Sequence, residues 1–459
     1  MSGTRIRSRG RDGSTVTGSA GPEVPLRQVW LAAWPITAVF VLSNAATPLY
    51  VLWQRELGFS KGTLTVVFAC YIVGLVGSLL VSGVLSDRIG RRPVLLPALG
   101  LALAACLVFG TAGSVAALVV ARLFTGVAVG AVVSAGMAAV TDVAGPGRRR
   151  TAALLASCAM VFGAGLGPLL AGVLSELAPG PTVTVFAVEA VLLASAVPVV
   201  LRMPARRAEG GGTGRGAGGA TGSGTGGPTG RGAGGAAGRG ADAWIRVPGV
   251  PRGRGRQLAL GVAVFAPGIT ATSFVLSLGP SLLSGLLGTT SRIVAGAMAF
   301  AMFLTATGVQ FAVRRLGRRA ILTAGAAGTA LGMLTLAVAV RSGSAPALAA
   351  AALLAGAGQG LGQLGGLSLL NSAVPPRRLA EANAALNVGG YLLAGLLPVS
   401  AGYLSDAVGL TTGATVFAAV LAALAVLGAV LVLTAPRSAT DPVHRTGEEE
   451  DEGEGEVGR

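Results

Sequence analysis

The chain has 459 residues, of which 52% are hydrophobic and only 12% are charged, and its mean hydropathy is +0.71. Soluble domains carry about 25% charged residues, so this composition excludes a globular protein with a water-facing surface and indicates an integral membrane protein. The net charge is +16, which in a soluble protein would suggest nucleic-acid binding. Here the arginines fall in tails, loops and a linker, where they set the orientation of a membrane protein instead.

The predicted elements are twelve transmembrane helices, because apolar runs of about 20 residues recur along the chain and each can cross about 30 Å of hydrocarbon. The first six predicted spans are residues 29–53, 63–85, 93–112, 115–141, 151–174 and 182–201. The second six are residues 258–280, 293–313, 320–340, 346–373, 381–404 and 413–435. We expect a basic cytoplasmic tail at 1–28, a six-helix N-terminal bundle at 29–202, a Gly/Arg-rich cytoplasmic linker at 203–257, a six-helix C-terminal bundle at 258–435 and an acidic cytoplasmic tail at 436–459.

Arginine-rich and arginine-poor connections alternate between these spans. By the positive-inside rule, the alternation places both termini and the linker in the cytoplasm. The predicted location is therefore the inner or plasma membrane of the cell, as a multi-pass protein. The linker contains the repeat "TGRGAGGA" twice but only one aromatic residue, Trp244. Because base stacking needs aromatic side chains, we expect no nucleic-acid partner.

The distribution of cysteine and histidine excludes several kinds of site. Cys70, Cys106 and Cys158 lie within apolar runs, and the only histidine, His444, lies in the acidic tail. These positions exclude a disulfide framework, a histidine-based metal site and a Ser-His catalytic pair inside the membrane. We therefore expect no cofactor, no metal and no enzymatic activity.

The two halves of the chain are similar in sequence. The segment "DRIGRRPVLL" at 87–96 aligns with "RRLGRRAILT" at 314–323, an offset of 314 − 87 = 227. The segment "PLLAGVLSELA" at 168–178 aligns with "PVSAGYLSDAV" at 398–408, an offset of 398 − 168 = 230. Two stretches in the same order indicate a duplicated six-helix unit, as in transporters whose substrate site lies between the halves. The predicted fold class is all-α integral membrane, with twelve transmembrane helices as two six-helix pseudo-repeats around a central cavity.

The loop between the second and third spans carries the most specific motif. It contains the pattern Gly83-x-Leu85-x-Asp87-Arg88-x-Gly90-Arg91-Arg92. This pattern resembles the signature loop of the major facilitator superfamily, and the resemblance covers nearly the whole chain except the tails and the linker. We expect the two glycines to allow a close helix approach and a tight turn, and the arginines to hold the loop beside lipid phosphates in the cytoplasm.

The resemblance implies that Asp87 latches the two halves together by meeting the positive amino end of the eleventh span, near Ala380. The alternative is that Asp87 only pairs with Arg88 or Arg91 and that the loop sets topology alone. In the second half Arg314 takes the place of Asp87, so we expect the second loop to anchor without latching.

Two ionisable residues fall inside predicted spans, where a charge is costly and marks a functional candidate. Arg122 lies in the fourth span and Glu189 in the sixth, both about 11 Å below the outer surface at 1.5 Å per residue, so they are placed to pair. The spacing Arg122-x-x-x-Gly126-x-x-x-Gly130 resembles the helix 4 motif of the family, which implies proton coupling. The alternative is a static ion pair that holds the fourth and sixth spans together.

The fifth span contains "GAGLGPLLAG", in which Gly163, Gly167 and Gly172 remove side chains along one face and Pro168 kinks the helix. This stretch resembles the helix 5 motif of proton-driven antiporters in the family, which implies an exporter. The alternative is that small residues pack helices in any membrane protein.

The resemblance also implies that the first, fourth, seventh and tenth spans line the cavity. Apart from Arg122 their polar side chains are neutral, with cavity candidates at Asn44, Tyr50, Thr125, Thr272, Gln359, Gln363 and Asn371. Such a cavity suits a neutral or lipophilic small organic compound. We predict a monomer in the lipid bilayer that carries out efflux of such compounds in exchange for protons by alternating access, as in drug resistance. The alternatives are a facilitator or importer on the same fold and a membrane sensor or scaffold that transports nothing.

Overall fold

The computed structural model describes residues 25–203 and 249–436, except residues 252, 287, 289, 314, 376 and 377. Most of the two predicted tails and of the predicted linker therefore lies outside the described residues. The described part is almost entirely helical and contains no strand. Large apolar side chains such as Leu107 (69% exposed) and Val191 (69% exposed) cover its outside, as expected for a surface in contact with hydrocarbon.

Twelve helices among the described residues are long and apolar enough to cross a membrane. In the first half they are α1 Leu26–Leu57, α2 Lys61–Ile89, α3 Arg92–Gly110, α4 Val115–Ala144, α5 Thr151–Leu177 and α6 Pro181–Arg202. In the second half they are α7 Gly255–Gly285, α8 Arg292–Ala312, α9 Arg318–Ser342, α10 Ala345–Ala373, α11 Glu381–Val408 and α12 Leu410–Thr434. The predicted all-α fold with twelve spans is confirmed.

Because the number of spans is even, both ends of the described chain lie on one face of the bundle, which we call the terminal face. We call the opposite face the distal face. Four of the helices that start at the distal face begin with a serine N-cap, whose hydroxyl accepts a backbone N–H three residues on. These serines are Ser60, Ser114, Ser291 and Ser344. Their spacing, 291 − 60 = 231 and 344 − 114 = 230, repeats between the halves, so the duplication extends to the helix starts.

Helix packing repeats in the same way. In the first half α1 packs on α5 and α6, α4 packs on α2 and α3, and α3 packs on α6. The second half repeats these pairs as α7 on α11 and α12, α10 on α8 and α9, and α9 on α12. The halves meet mainly through α5 against α8 and α2 against α11. The sequence repeat therefore corresponds to two six-helix bundles of the same design.

Two helices depart from regular α geometry. In α1 the helix stops at Ala45, a 3₁₀ turn runs over Thr47–Leu49, and the helix resumes at Tyr50. Pro48 lies in this turn and supplies no backbone N–H, so it does not continue the hydrogen-bond ladder. In α4 a π-helical turn covers Val132–Gly136, a distortion that is frequent at functional sites.

Candidate functional site

Arg122 lies on α4 of the first half and is fully buried. Its Nε donates to the hydroxyl of Tyr50 at 2.5 Å, and its Nη1 donates to the main-chain carbonyl of Ser43 at 2.7 Å. These two partners lie on either side of the break in α1, so the guanidinium bridges the two segments of that helix. Its Nη2 is buried and has no hydrogen-bond partner among the described residues.

Four aromatic rings surround the same guanidinium. Its Cζ lies 5.1 Å from the ring centre of Tyr50, 5.6 Å from Phe68, 6.0 Å from Tyr71 and 5.7 Å from Phe109. Ring faces attract cations, and more strongly where water is excluded. The charge of Arg122 is therefore balanced by ring faces, a hydroxyl and a carbonyl rather than by a carboxylate.

Glu189 is also fully buried, and neither of its carboxyl oxygens has a hydrogen-bond partner among the described residues. The pairing with Arg122 expected from their equal depth is not formed. Phe109 lies against the guanidinium and stacks on Phe186 at 4.8 Å between ring centres. Phe186 precedes Glu189 by three residues on α6, and Trp53 stacks on both rings. The aromatic stack thus runs from the guanidinium of Arg122 to the helix that carries Glu189, while the equal depth of the two side chains stays a prediction.

The loop between α2 and α3 is held by ion pairs within the first half. Arg91 contacts Asp87 at 2.8 Å and Asp142, near the end of α4, at 3.2 Å. Burial alone lowers the pKa of the Arg91 guanidinium, but its hydrogen bonds to both carboxylates outweigh burial, and the net shift is upward. The alternative pairing of Asp87 with Arg91 is thus formed. Residues 376 and 377, just before α11, lie outside the described residues, and the latch to that helix stays a prediction.

The structure gives a role to Gly90 and Arg92 of the same loop motif, but not to Gly83. Gly90 has φ +95°, a backbone conformation that favours glycine and makes the predicted tight turn. Arg92 donates to the carbonyl of Leu201 at the end of α6. A Cβ at Gly83, by contrast, would meet nothing within 4 Å. The close helix approach expected at Gly83 is therefore wrong, because this face of α2 looks into open space.

The family was determined by comparison with known proteins. A family model described as Major Facilitator Superfamily matches residues 29–313 and 258–454. The chain belongs to the major facilitator superfamily. It is therefore a transporter rather than an enzyme, and the superfamily is the one that the loop motif resembles.

Curated relatives of this superfamily member are similar over only part of their length. The 3-(3-hydroxy-phenyl)propionate transporter of Escherichia coli (strain K12) is 31% identical over 167 residues, which cover 36% of this chain and 39% of the relative. The major facilitator-type transporter psiT2 of Psilocybe cubensis is 38% identical over 120 residues, which cover 25% of this chain and 22% of the relative. The matched part thus spans less than half of either relative.

Solved transporters share the fold over nearly the whole chain. The nucleoside transporter NupG has a TM-score of 0.66 at 12% identity and covers 88% of this chain and 99% of its own. The D-xylose-proton symporter has a TM-score of 0.62 at 16% identity and covers 89% of this chain and 97% of its own. At such low identity these similarities show the two-bundle fold alone.

The glycines of α5 place this superfamily helix against two partners. A Cβ at Gly163 would lie 2.6 Å from the carbonyl oxygen of Thr37, and one at Gly167 would lie 2.8 Å from the carbonyl carbon of Val41, both on α1. A Cβ at Gly172 would lie 3.0 Å from the carbonyl carbon of Arg292, on α8 of the other half. Pro168 lies inside α5. The predicted small-residue face therefore contacts backbone both within its half and across the interface.

The predicted cavity residues differ in their surroundings. Asn44 is buried and donates to Ser43 Oγ at 3.1 Å and to the carbonyl of Ala164 at 3.4 Å. Thr125 and Thr272 are buried, and each hydroxyl donates to a carbonyl of its own helix. These three side chains already have partners, and Tyr50 is engaged by Arg122.

The candidates on α10 are more accessible. Gln359 and Gln363 are half-buried, and Asn371 is exposed near the terminal-face end of the helix. Gln359 Oε1 has no hydrogen-bond partner among the described residues, while the backbone of Gln359 lies against Gly268 of α7. Gln359 is thus the cavity candidate whose side-chain oxygen is left without a partner by the described residues, and Gln363 lies about one turn further along the same helix.

Sequence reasoning missed two acidic side chains that join the halves at the distal face, Glu176 on α5 and Asp406 on α11. A signal was present in the sequence, because the aligned segments place an acid at equivalent positions, 176 + 230 = 406. It also missed Phe68 and Tyr71, whose rings face Arg122. These aromatic residues give no special pattern in a hydrophobic helix.

Proposed function

We propose that this transporter exports small neutral or lipophilic organic compounds by alternating access, driven by an inward flow of protons. The observation that carries the proposal is the pair of buried ionisable groups in the first half. In the part of the chain that the structure describes, Arg122 Nη2 and both carboxyl oxygens of Glu189 have no hydrogen-bond partner. Such groups are costly inside a membrane protein and mark ion or proton pathways.

The proposed roles follow from these surroundings. The carboxyl of Glu189 binds and releases the proton, since it is fully buried and neither of its oxygens has a hydrogen-bond partner among the described residues. Arg122 couples this step to movement of α1, because it holds the two segments of that helix on either side of their break. Rotation of the distal segment of α1, which begins at Tyr50, changes the contact between Tyr50 and Arg122. This change alters the electrostatic environment of the guanidinium.

Export is supported by the glycine-proline stretch of α5, which resembles the motif of antiporters and packs directly on α1 and α8. The proposed orientation places the terminal face in the cytoplasm, because the loop with Arg88, Arg91 and Arg92 lies there. Labelling of single cysteines in intact cells tests this orientation: a cysteine in the loop at 343–344 should react with a membrane-impermeant reagent, and one in the loop at 90–91 should not.

Transport into everted membrane vesicles tests the proposed function. Vesicles acidified inside should accumulate the substrate, and a protonophore should abolish the accumulation. A thermal-shift screen of purified protein identifies compounds to test, beginning with lipophilic organic compounds and with small aromatic acids, the class of compound in the name of the Escherichia coli relative. Accumulation that ignores the proton gradient would favour a facilitator, and proton-driven movement in the opposite direction would favour an importer.

A further inference from the structure

We propose that Glu176 and Asp406 form two symmetry-related latches that hold the distal face of the transporter closed. Both latches break and form again in every transport cycle. This inference rests on the alternating access of the proposed function, but not on its substrate, its direction or its coupling to protons. The two acids belong to different halves, and each one binds the start of a helix in the opposite half.

The first latch joins α5 to α8. Glu176 lies at the distal end of α5, and its Oε1 accepts hydrogen bonds from the backbone N–H groups of Arg292 and Ile293, the latter at 3.1 Å. Arg292 and Ile293 are the first two residues of α8. The acid thus comes from the first half and both donors come from the second.

The second latch joins α11 to α2 with the same chemistry. Asp406 Oδ1 accepts from the backbone N–H of Lys61 at 3.0 Å, and its Oδ2 accepts from the backbone N–H of Gly62 at 2.8 Å. Lys61 and Gly62 are the first two residues of α2. Here the acid comes from the second half and both donors come from the first, so the two latches are crossed.

Each latch completes a helix start that is left unfinished within its own half. The first N–H groups of a helix have no partner inside the helix. In α2 and α8 the serine N-caps, Ser60 and Ser291, satisfy the N–H of Thr63 at 3.2 Å and of Val294 at 3.3 Å. Among the described residues, the two preceding N–H groups of each helix find their acceptor in the acid of the opposite half. A carboxylate is the preferred partner there, because the amino end of a helix carries partial positive charge.

Matched glycines bring the two backbones close enough for this contact. Gly172 and Gly402 occupy equivalent positions, 172 + 230 = 402, four residues before the respective acids. A Cβ at Gly172 would lie 3.2 Å from the Cα of Ile293, and one at Gly402 would lie 2.8 Å from the carbonyl oxygen of Lys61. Glycine, acid and serine-capped helix therefore recur as one unit, once on each side of the interface.

Because each latch joins the two halves, both latches depend on whether the distal face is open or closed. When the two bundles rotate apart at the distal face, both carboxylates leave their donors together, and four backbone N–H groups become open to water. When the bundles close, both latches form again. Both latches stabilise the same closed state. Removal of one should therefore leave the distal face partly closed, and removal of both should open it.

The test measures the distal opening directly, without a transport assay. Spin labels are placed at Thr111→Cys and Arg341→Cys, equivalent positions (111 + 230 = 341) that are exposed at the distal ends of α3 and α9. The native cysteines are first replaced by alanine at Cys70, Cys106 and Cys158. Double electron–electron resonance on purified protein then gives the distance distribution across the two halves for the parent, for Glu176→Ala, for Asp406→Ala and for the double variant.

We expect the ratio of long to short distances to rise by at least about tenfold in the double variant, because the loss of even one hydrogen bond to a charged group has about that effect, and by less in each single variant. The matched control is Glu56→Ala, which removes an exposed acid at the distal end of α1 outside the latches and should leave the distribution unchanged. A double variant with the parent distribution, or a control that shifts equally, overturns the proposal.

A second pair of variants keeps the test decisive if the alanine variants fold poorly. Glu176→Gln and Asp406→Asn retain the shape of the side chain but remove its charge, and together they should also populate long distances. A purely structural role would lower the melting temperature of these variants without a change in the distance distribution, which also overturns the proposal. Failure of proton-driven export in vesicles, by contrast, leaves this measurement unaffected.

Discussion

Replacement of Arg122 by methionine separates a role in coupling from a role in stability. The variant Arg122→Met loses the hydrogen bonds to Tyr50 and to the carbonyl of Ser43. Hydrogen bonds to charged groups contribute about 1.5–3 kcal/mol each, so their loss costs about 3–6 kcal/mol. Burial of the guanidinium itself costs several kcal/mol, which methionine recovers. Because these effects oppose each other and methionine fills similar space among the four rings, we expect a net change within about 2 kcal/mol.

The shorter variant Arg122→Ala provides the contrast. It also loses both hydrogen bonds, but in addition it leaves a cavity beneath the rings of Tyr50, Phe68, Tyr71 and Phe109. Large-to-small changes in a packed core cost about 2–5 kcal/mol. Melting temperatures in detergent should therefore place the methionine variant near the parent and the alanine variant well below it.

Transport by the stable methionine variant then decides the role of the charge. Proton-driven accumulation in everted vesicles should fall at least about tenfold, which corresponds to about 1.4 kcal/mol, while counterflow of substrate down its own gradient should persist. Accumulation equal to that of the parent would show that Arg122 takes no part in coupling. A methionine variant as unstable as the alanine variant would show instead that the guanidinium is a structural strut.

Three further predictions concern single side chains. Glu189→Leu removes a buried carboxyl that has no hydrogen-bond partner among the described residues, so it should raise the melting temperature by a few degrees while abolishing proton-driven accumulation. A lower melting temperature would show that the carboxyl makes stabilising contacts. Gly167→Ala forces α5 away from Val41 and should cost about 1–3 kcal/mol, whereas Gly100→Ala, with nothing within 4 Å, should be neutral or mildly stabilising by the same thermal assay. Asp87→Asn loses the partly exposed ion pair with Arg91, worth about 0.2–1 kcal/mol, so a normally inserted variant should keep its melting temperature. It should lose most of its transport if the predicted latch to α11 exists, and unchanged flux would exclude that latch.

The sequence alone determined the membrane class, the number of spans and the duplication. Hydrocarbon imposes a minimum apolar length on every span, so hydropathy located all twelve helices. The observed helices extend beyond several of the predicted runs: α1 covers Leu26–Leu57 where the apolar run suggested 29–53, and α7 covers Gly255–Gly285 where it suggested 258–280. Helices continue past the hydrocarbon into polar residues, which an apolar run does not reveal. The turn at Gly90 was also predictable, because it depends on local conformation.

Only the tertiary structure decided which side chains meet. Helical periodicity shows which residues share a face, but it does not show which neighbour that face contacts. Arg122 and Glu189 were expected to pair, yet Arg122 donates to Tyr50 and to the carbonyl of Ser43, and the carboxyl oxygens of Glu189 have no partner among the described residues. Gly83 had the right residue type for close packing, yet its face of α2 meets no neighbour.

The contacts at the distal face depend on tertiary structure for the same reason. Asp406 binds the start of α2 across 345 positions of sequence, and Glu176 binds the start of α8 across 116. The aligned segments 168–178 and 398–408 place both acids at equivalent positions, but the alignment does not indicate which residues they contact. Their donors are backbone N–H groups, which every residue type except proline carries and which no sequence pattern distinguishes. The packing of one bundle on the other determines which N–H groups are bound. Each acid reaches the first N–H groups of a helix in the opposite half because the distal face is closed.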